Sequence, residues 1–291
     1  MLQRQYMDLS WKAVLNPGGA NDFFEQGMPG AIDVRTNRFS PTNAWWLSEL
    51  SRLVYRRGEE EGGVMPNGPG RRDFLARVGL EERAFFNAGG VQAAFITRTR
   101  DNLPPVGILV FRGTTGTWRN WQSNLSVWSS QWPRGGRVHS GFKKQFMGLW
   151  PTIVETVTAW TAPLLYTGHS LGAALATLAA GMHRPHALYT FGSPRVGDSD
   201  FADTLKDVCI YRLCNAGDIV TFLPPSRGPL RFCHVGEPMI YRKAPSPPPA
   251  FSIAQDRDIA TPALGIPHPP KFLVDHAPAN YISWPGPEIA T

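Results

Sequence analysis

Apolar residues along the chain fall into two patterns. Short continuous runs predict buried strands, and apolar residues three or four positions apart predict helices that pack by one face. The runs predict strands at 91–99, 106–111, 164–167, 187–191 and 208–213, and a hairpin at 230–242. The periodic stretches predict helices at 43–57 (capped by Asn43), 71–78, 140–160, after Ser170, at 198–207 and close to the C-terminus. Strands that alternate with helices predict an α/β fold with a mostly parallel sheet flanked by helices.

The sharpest change of pattern lies at Ser170, between a predicted strand and a predicted helix. Gly168-His169-Ser170-Leu171-Gly172 matches G-x-S-x-G, the signature of a strand-turn-helix that holds a serine hydroxyl at its apex. The helix behind the serine points amide N–H groups and a positive dipole end at any anion that forms there. The motif alone also occurs as a structural turn. The strand before it and the alanine-rich helix after it favour Ser170 as a nucleophile.

A nucleophilic serine needs a histidine that accepts its proton, and on sheets with this turn the chain order is serine, acid, histidine. His276, in a loop after the last strands, is therefore the predicted base. His139 precedes the serine, and His169 adjoins it and is expected to point elsewhere. The other histidines have simpler explanations at a helix end, in a strand or among prolines, and they are His183, His186, His234 and His268.

The predicted acid is Asp218, which immediately follows a strand and precedes a loop fixed by two prolines. Asp198 also follows a strand, but its local sequence is typical of a helix N-cap. Asp275 adjoins His276 in the chain, where its carboxylate cannot easily orient the imidazole ring. These comparisons favour a triad of Ser170, Asp218 and His276.

The negative charge of a tetrahedral intermediate needs backbone donors. The amide of Leu171, just after the nucleophile, and that of Thr114 are the predicted oxyanion donors. Thr114 lies in a glycine-bearing loop directly after the strand at 106–111, where open α/β sheets bind ligands. This chemistry requires no metal and no organic cofactor, and neither is predicted.

Bulky apolar residues spaced by three and four follow that loop. This spacing predicts one helical stripe, made of Trp118, Trp121, Leu125, Trp128 and Trp132. A core helix explains the stripe. A mobile cover that seals the pocket in water and contacts lipid when open explains it as well, and the interleaved polar residues favour this lid.

Length and composition set the domain organisation. With 291 residues, 42% of them hydrophobic, the chain is expected to form a single α/β domain over 1–291. The segment 1–42 is expected to drape over that domain, and the proline-rich stretch 244–270 to form a long surface loop. No apolar run is long enough to cross a bilayer, so no integral membrane segment is predicted.

Charge and cysteine content narrow the choice of partner and compartment. The formal net charge is +6, but the basic residues are scattered and no aromatic-interleaved basic stripe predicts nucleic-acid binding. The three cysteines are Cys209, Cys214 and Cys233. Cys209 and Cys214 lie five positions apart on a predicted strand and face opposite ways, so free buried thiols and a reducing compartment are expected.

With these pieces placed, the sequence resembles the class 3 lipases, the fungal-lipase-like branch of the α/β-hydrolase fold. The segments that carry the resemblance lie between about 106 and 281: VFRGTTG, WRNW, VHSGF, TGHSLGAALATLAA, YTFGSPRVGD, NAGDIVTFLPP and DHAPANY. The resemblance implies the same triad and oxyanion residues and a lid that bears Trp118, Trp121 and Leu125. The chain departs from the family pattern at Ala173, where glycine is common, and in the proline-rich stretch before His276.

The resemblance further implies a triacylglycerol lipase that acts on acylglycerol or other lipid esters at a lipid–water interface. A short-chain, feruloyl or phospholipid esterase on the same scaffold is the enzymatic alternative, and a non-catalytic binding protein is the alternative from another class. Secreted fungal members have disulfides and signal peptides. The sequence given shows neither, so a cytoplasmic or unconventionally exported enzyme is expected.

Overall fold

The structure is a computed structural model that describes residues 8, 10–25, 28–58, 68–98, 102–114, 128–226, 231–241 and 269–282. Among these residues, seven strands form the central sheet. They are β1 (Leu80–Ala88), β2 (Val91–Arg98), β3 (Gly107–Phe111), β6 (Leu164–His169), β7 (Ala187–Phe191), β8 (Ile210–Asn215) and β9 (Glu237–Tyr241). The short strands β4 (Ser129–Gln131) and β5 (Arg137–His139) pair with each other as a separate antiparallel ribbon.

The sheet is mostly parallel. Its strands lie in the order β1-β2-β3-β6-β7-β8-β9. The first three pair antiparallel, and every pair from β3 to β9 is parallel. Because parallel strands end at the same edge, the segments that follow β3, β6 and β8 meet there. The predicted fold class is confirmed.

Helices cover both faces of this sheet. They are α1 (Trp11–Leu15), α2 (Pro41–Leu53), α3 (Arg71–Arg77), α4 (Ser140–Ala159), α5 (Leu171–Met182), α6 (Ser199–Asp203) and α7 (Lys271–His276). Side chains alternate between the faces along β3. Leu109 and Phe111 join one core cluster with α4 and α5, and Ile108 and Val110 join the other with α2.

The first described residues contribute to the core. Phe23, Phe24, Ile32 and Val34 are buried in the cluster that contains α2. The helix α2 begins at Pro41, two positions before the expected cap, because the Ser40 hydroxyl accepts from the Asn43 amide at 3.2 Å. The single-domain outline over 1–291, with its draped segment 1–42, stays a prediction. Of the proline-rich stretch 244–270, all but the last two residues lie outside the described ranges.

Two elements differ from the expectation. The strand β1, which was not predicted, pairs antiparallel with β2 across Gly89 and Gly90, whose φ angles are 59° and 82°. The hairpin predicted about Gly236 is wrong. That glycine does turn the chain, with φ 84°, but Cys233 bridges to Gly197 while β9 pairs parallel with β8. Local turn chemistry indicates where a chain bends and does not indicate which strands pair.

Two glycines let α5 lie directly against the strands. A Cβ on Gly172 would lie 2.9 Å from the Phe111 carbonyl carbon and would collide with its oxygen. A Cβ on Gly168 would lie 2.8 Å from the Ala173 nitrogen and would collide with the Gly172 carbonyl. Backbone touches backbone at both places, so no side chain can move aside to make room.

This contact generates a stability prediction. Gly172→Ala should lower the free energy of unfolding by about 1–3 kcal/mol, because the added methyl group must displace backbone. The matched control is Gly148→Ala in α4, where a Cβ meets nothing within 4 Å. There the exchange should raise stability by roughly 0.5–1 kcal/mol through helix propensity. Urea unfolding of both variants measures the difference, and equal effects would contradict the close-approach argument.

Candidate active site

Ser170 sits at the turn between β6 and α5 with a backbone that a serine seldom adopts. Its φ is 59° and its ψ is −126°. Such a conformation costs on the order of 1–3 kcal/mol and persists only where the surroundings enforce it. Here the Ser170 amide donates to the Phe191 carbonyl of β7 at 2.9 Å, and its own carbonyl accepts from the Ala173 amide at 3.0 Å. The neighbouring strand and the first helical turn thus hold the serine in place.

The predicted base and acid meet this serine in one sequence of hydrogen bonds. The His276 Nε2 lies 2.9 Å from the Ser170 Oγ. On the other side of the ring, Nδ1 lies 2.9 Å from the Asp218 Oδ2 and 3.0 Å from Oδ1. A carboxylate can only accept, so Nδ1 carries the proton and Nε2 is free to accept from the serine hydroxyl. The arrangement suits a general base that activates a serine.

The acid is fully buried and its charge is satisfied by several donors. The Asp218 side chain is 0% exposed, against 15% for that of His276. Besides His276, it accepts from the Tyr281 hydroxyl at 2.5 Å and from the Val220 amide at 2.9 Å. Burial, together with the Asp218 charge, raises the pKa of Tyr281 well above its ordinary value, so this hydroxyl keeps its proton and donates it.

The rival acids have other partners. The Asp198 Oδ1 accepts from the Phe201 amide at 2.9 Å and caps α6, as its local sequence indicates. The Asp275 carboxylate lies 2.5 Å from the Lys271 Nζ. Of the three carboxylates, Asp218 is the one that hydrogen-bonds to the Nδ1 of His276.

His139 and His169 are buried and His234 is half-buried, and His169 contacts the site against expectation. The His139 Nδ1 accepts from the Phe142 amide at the start of α4. Burial, with Arg212 nearby, lowers the pKa of His234 to about 3. His169 was expected to point away from the site, yet its Nε2 lies 2.6 Å from the backbone carbonyl of His276. The sequence contained one sign of this contact, a polar residue at the end of a strand buried along its whole length.

The predicted oxyanion residues lie at the same edge of the sheet. Leu171 begins α5, so its amide is among those that lack a partner within the helix. Thr114 follows β3, which pairs in register with β6 as far as Phe111 and Gly168. The Thr114 Oγ1 is buried and has no hydrogen-bond partner among the described residues. Their donor roles stay predictions.

The predicted lid residues Trp118, Trp121 and Leu125 lie outside the described residues. The other end of the tryptophan stripe is described, and it is not one helix. Trp128 is 74% exposed, Trp132 is 2% exposed in the core, and the strand β4 separates them. The periodicity of the stripe therefore does not extend as helix to its last member.

No cluster of three or more histidine, cysteine, aspartate or glutamate side chains is placed to hold a metal ion in the ranges given above. Within those ranges, no helix is both long and apolar enough to span a bilayer.

Part of the chain is similar to known lipases. Residues 108–228 match the family model for lipase (class 3). Secreted mono- and diacylglycerol lipase 1 from Fusarium solani is 36% identical over 138 residues, which cover 43% of this chain and 41% of that protein. The structure of the Rhizomucor miehei lipase with its propeptide superposes with a TM-score of 0.51 and 28% identity over 57% of this chain and 58% of the other. The chain thus spans about two fifths of the length of the curated relatives it matches.

A wider superposition supports the fold alone. The mono- and diacylglycerol lipase from Aspergillus oryzae gives a TM-score of 0.52 at 17% identity and covers 81% of this chain and 78% of that one. Its agreement extends beyond the segment matched by the family model. The α/β-hydrolase fold therefore accounts for most of the chain.

The expected cytoplasmic or unconventionally exported location is wrong, since the Fusarium solani relative is named a secreted lipase. The inference from free thiols fails for a physical reason. Cys209, Cys214 and Cys233 are free, and all three are buried or half-buried. Burial raises the pKa of Cys214 to about 11 and keeps it in the unreactive thiol form. Packing alone can preserve such thiols, so they do not report on the compartment.

The segment 108–228 contains Ser170 and Asp218, while His276 lies beyond it. The likeness to solved lipases covers 57% of the chain in one superposition and 81% in another. Over residues 108–228 this chain matches the class 3 lipases, and its fold is the α/β-hydrolase fold.

Proposed function

We propose that this chain is a serine carboxylester hydrolase that cleaves lipid esters, with triacylglycerols as the leading substrate class. The observation that supports it most is the continuous set of hydrogen bonds from the Ser170 Oγ through His276 to the buried Asp218. Acyl transfer through a serine needs these three groups in this order. A protein that only binds lipid has no use for a serine held against a base.

The reaction proceeds in two acyl transfers. His276 Nε2 takes the Ser170 proton as the serine oxygen attacks the ester carbonyl, and the amides of Thr114 and Leu171 stabilise the oxyanion. His276 then protonates the leaving alcohol, which departs and leaves an acyl-enzyme. Water, deprotonated by the same imidazole, attacks this ester, and His276 returns the proton to the Ser170 oxygen as the acid is released. Asp218 keeps Nδ1 protonated and stabilises the imidazolium through both steps.

Substrate and location are proposed from the relatives together with the sequence. The names of the matched proteins include lipase and mono- and diacylglycerol lipase, so acylglycerols are the proposed substrates. The proposed lid at Trp118, Trp121 and Leu125 opens at a lipid–water interface. An extracellular location is proposed because a relative is named as secreted. Short-chain, feruloyl and phospholipid esters are the alternatives that a substrate panel separates.

The first prediction tests the nucleophile. An organophosphonate ester should add its phosphonyl group to Ser170 in the wild-type protein and leave Ser170→Ala unmodified, as read by intact mass and peptide mapping. Ser170→Ala should also lower kcat by on the order of 10⁴ to 10⁶-fold without loss of folding. Failure of the wild-type protein to react would favour the binding-protein alternative.

The second prediction separates the proposed acid from its rival. Asp218→Asn should lower kcat by roughly 10⁴-fold, because an amide can donate to Nδ1 and so favours the wrong tautomer of His276. Asp198→Asn is the matched control, since that residue caps α6 and should leave kcat near the wild-type value. Hydrolysis of a soluble p-nitrophenyl ester measures both variants. A larger loss in Asp198→Asn would mean that the acid is misassigned.

The third prediction concerns the substrate class. Activity on p-nitrophenyl esters should persist or rise from butyrate to palmitate, and emulsified triacylglycerol should be cleaved. A lipase buries a long acyl chain, which contributes about 0.8 kcal/mol per CH₂ group removed from water. A steep decline beyond short chains would replace lipase with esterase, and selective cleavage of a feruloyl or phospholipid ester would assign that alternative instead.

A further inference from the structure

His169 connects the proposed base to a residue far away in the chain. It ends β6, next to the nucleophile, and is 3% exposed. Its Nε2 lies 2.6 Å from the carbonyl oxygen of His276, and its Nδ1 lies 3.1 Å from the Tyr55 hydroxyl. Tyr55 follows α2, 114 positions before His169. The two ring nitrogens thus contact two segments that are remote in sequence.

The chemistry of the partners determines which nitrogen of His169 carries the proton. A backbone carbonyl can only accept, so the Nε2 of His169 must donate to His276. The ring is neutral, because burial, reinforced by the nearby His276, lowers the pKa of His169 well below its usual value. A neutral imidazole carries one N–H, so Nδ1 is bare and accepts from the Tyr55 hydroxyl. In His169, Nε2 is therefore the donor to His276, and Nδ1 is the acceptor from Tyr55.

The carbonyl that accepts this bond belongs to the last residue of a helix. His276 ends α7, and the final carbonyls of a helix have no partner within it. The His169 N–H takes that place and fixes the backbone of the base. The two imidazole rings also pack against each other, with centroids 4.5 Å apart and planes inclined by 37°. Both the main chain and the ring of His276 are therefore constrained from one side chain.

Tyr55 extends the same contact to the loop of the proposed oxyanion donor. A Cβ on Gly113 would collide with the Tyr55 hydroxyl and would lie 2.7 Å from the His169 carbonyl oxygen. Gly113 directly precedes Thr114, so the tyrosine lies against the backbone that presents the donor. Tyr55 is 8% exposed, which leaves its hydroxyl little contact with water. Tyr55 therefore connects the end of α2 to His169 and to the loop that contains Gly113 and Thr114.

We propose that His169 and Tyr55 are positioning residues that hold His276 in the geometry needed to take the proton of Ser170. Neither touches the reacting atoms. His169 donates to the backbone of the base, and Tyr55 keeps His169 in the tautomer that can donate. This inference rests on the proposed hydrolase function and assigns a part of the machinery to residues outside the triad.

The kinetic experiment removes the donor while it keeps a ring in place. His169→Phe should lower kcat by roughly 10 to 100-fold with little change in KM, because misplacement of a catalytic group slows the chemical step. His169→Gln should recover most of kcat, since its side-chain amide can offer an N–H near the position of Nε2. Equal kcat in the Phe and Gln variants would overturn the donor role.

A second tyrosine–histidine pair in the same fold supplies the matched control. The Tyr166 hydroxyl lies 2.9 Å from the Nδ1 of His183, which follows the far end of α5. This pair repeats the chemistry about 18 Å from the serine end of the helix, by the 1.5 Å rise per residue. His183→Phe should leave kcat unchanged. A loss equal to that in His169→Phe would show that breaking any such pair slows the protein, and it would overturn the proposal.

A more conservative variant tests the proposal even if His169→Phe does not fold. Tyr55→Phe removes one hydroxyl and should lower kcat by about 5-fold, the equivalent of one ordinary hydrogen bond of about 1 kcal/mol. An unchanged kcat would overturn the role of Tyr55. Independently of turnover, ¹⁵N spectra of the histidine-labelled wild-type protein at pH 7 should show His169 neutral and protonated at Nε2. Protonation at Nδ1 would overturn the proposed donor role of His169.

The outcomes distinguish this inference from the proposed function. If the wild-type protein hydrolyses esters through Ser170 and the His169→Phe variant keeps the wild-type kcat, the positioning role alone is overturned. If Ser170 does not react with a phosphonate, the hydrolase function is overturned and this inference with it.

Discussion

The buried carboxylate of Asp218 is the constraint on which the rest of the site depends. A carboxylate that is 0% exposed is tolerated only if donors replace the water it has lost. Its donors come from three segments: the Val220 amide just after it, the ring of His276 at the end of α7, and the Tyr281 hydroxyl in the final turn. Because two of these donors belong to the C-terminal segment, satisfying the Asp218 charge holds that segment against the sheet edge. His276 is thereby placed next to Ser170.

The strain at Ser170 is supported by the same parallel sheet. Its positive φ is held by the Phe191 carbonyl of β7 and by the first turn of α5, and α5 can approach because Gly168 and Gly172 carry no side chain. The helix itself is buried along nearly its whole length, so it cannot tilt away to relieve the turn. The hydroxyl thus points at the sheet edge because core packing, rather than a local preference, fixes the backbone there.

The fold class could be predicted from the sequence because the order of apolar runs and periodic stretches determines it. The parallel sheet was confirmed, and the structure brings Ser170, Asp218 and His276 together, although their roles stay predictions. Sequence reasoning failed where the answer depends on contacts between distant segments. His169 was set aside because it adjoins the serine, yet its partners lie 114 positions before it and 107 after it. The hairpin about Gly236 failed in the same way, since pairing partners are not encoded in a turn.

Those long separations have a consequence for how the site is assembled. The segment matched by the family model, 108–228, contains the nucleophile and the acid but neither His276 nor Tyr55. The base depends on a six-residue helix, which is too short to be stable alone and is held by tertiary contacts. Local opening of α7 would therefore remove the imidazole from the serine while the sheet stayed folded. The hydrogen bond from His169 to the His276 carbonyl opposes this opening, because it connects the end of α7 to β6, the buried strand that precedes the nucleophile.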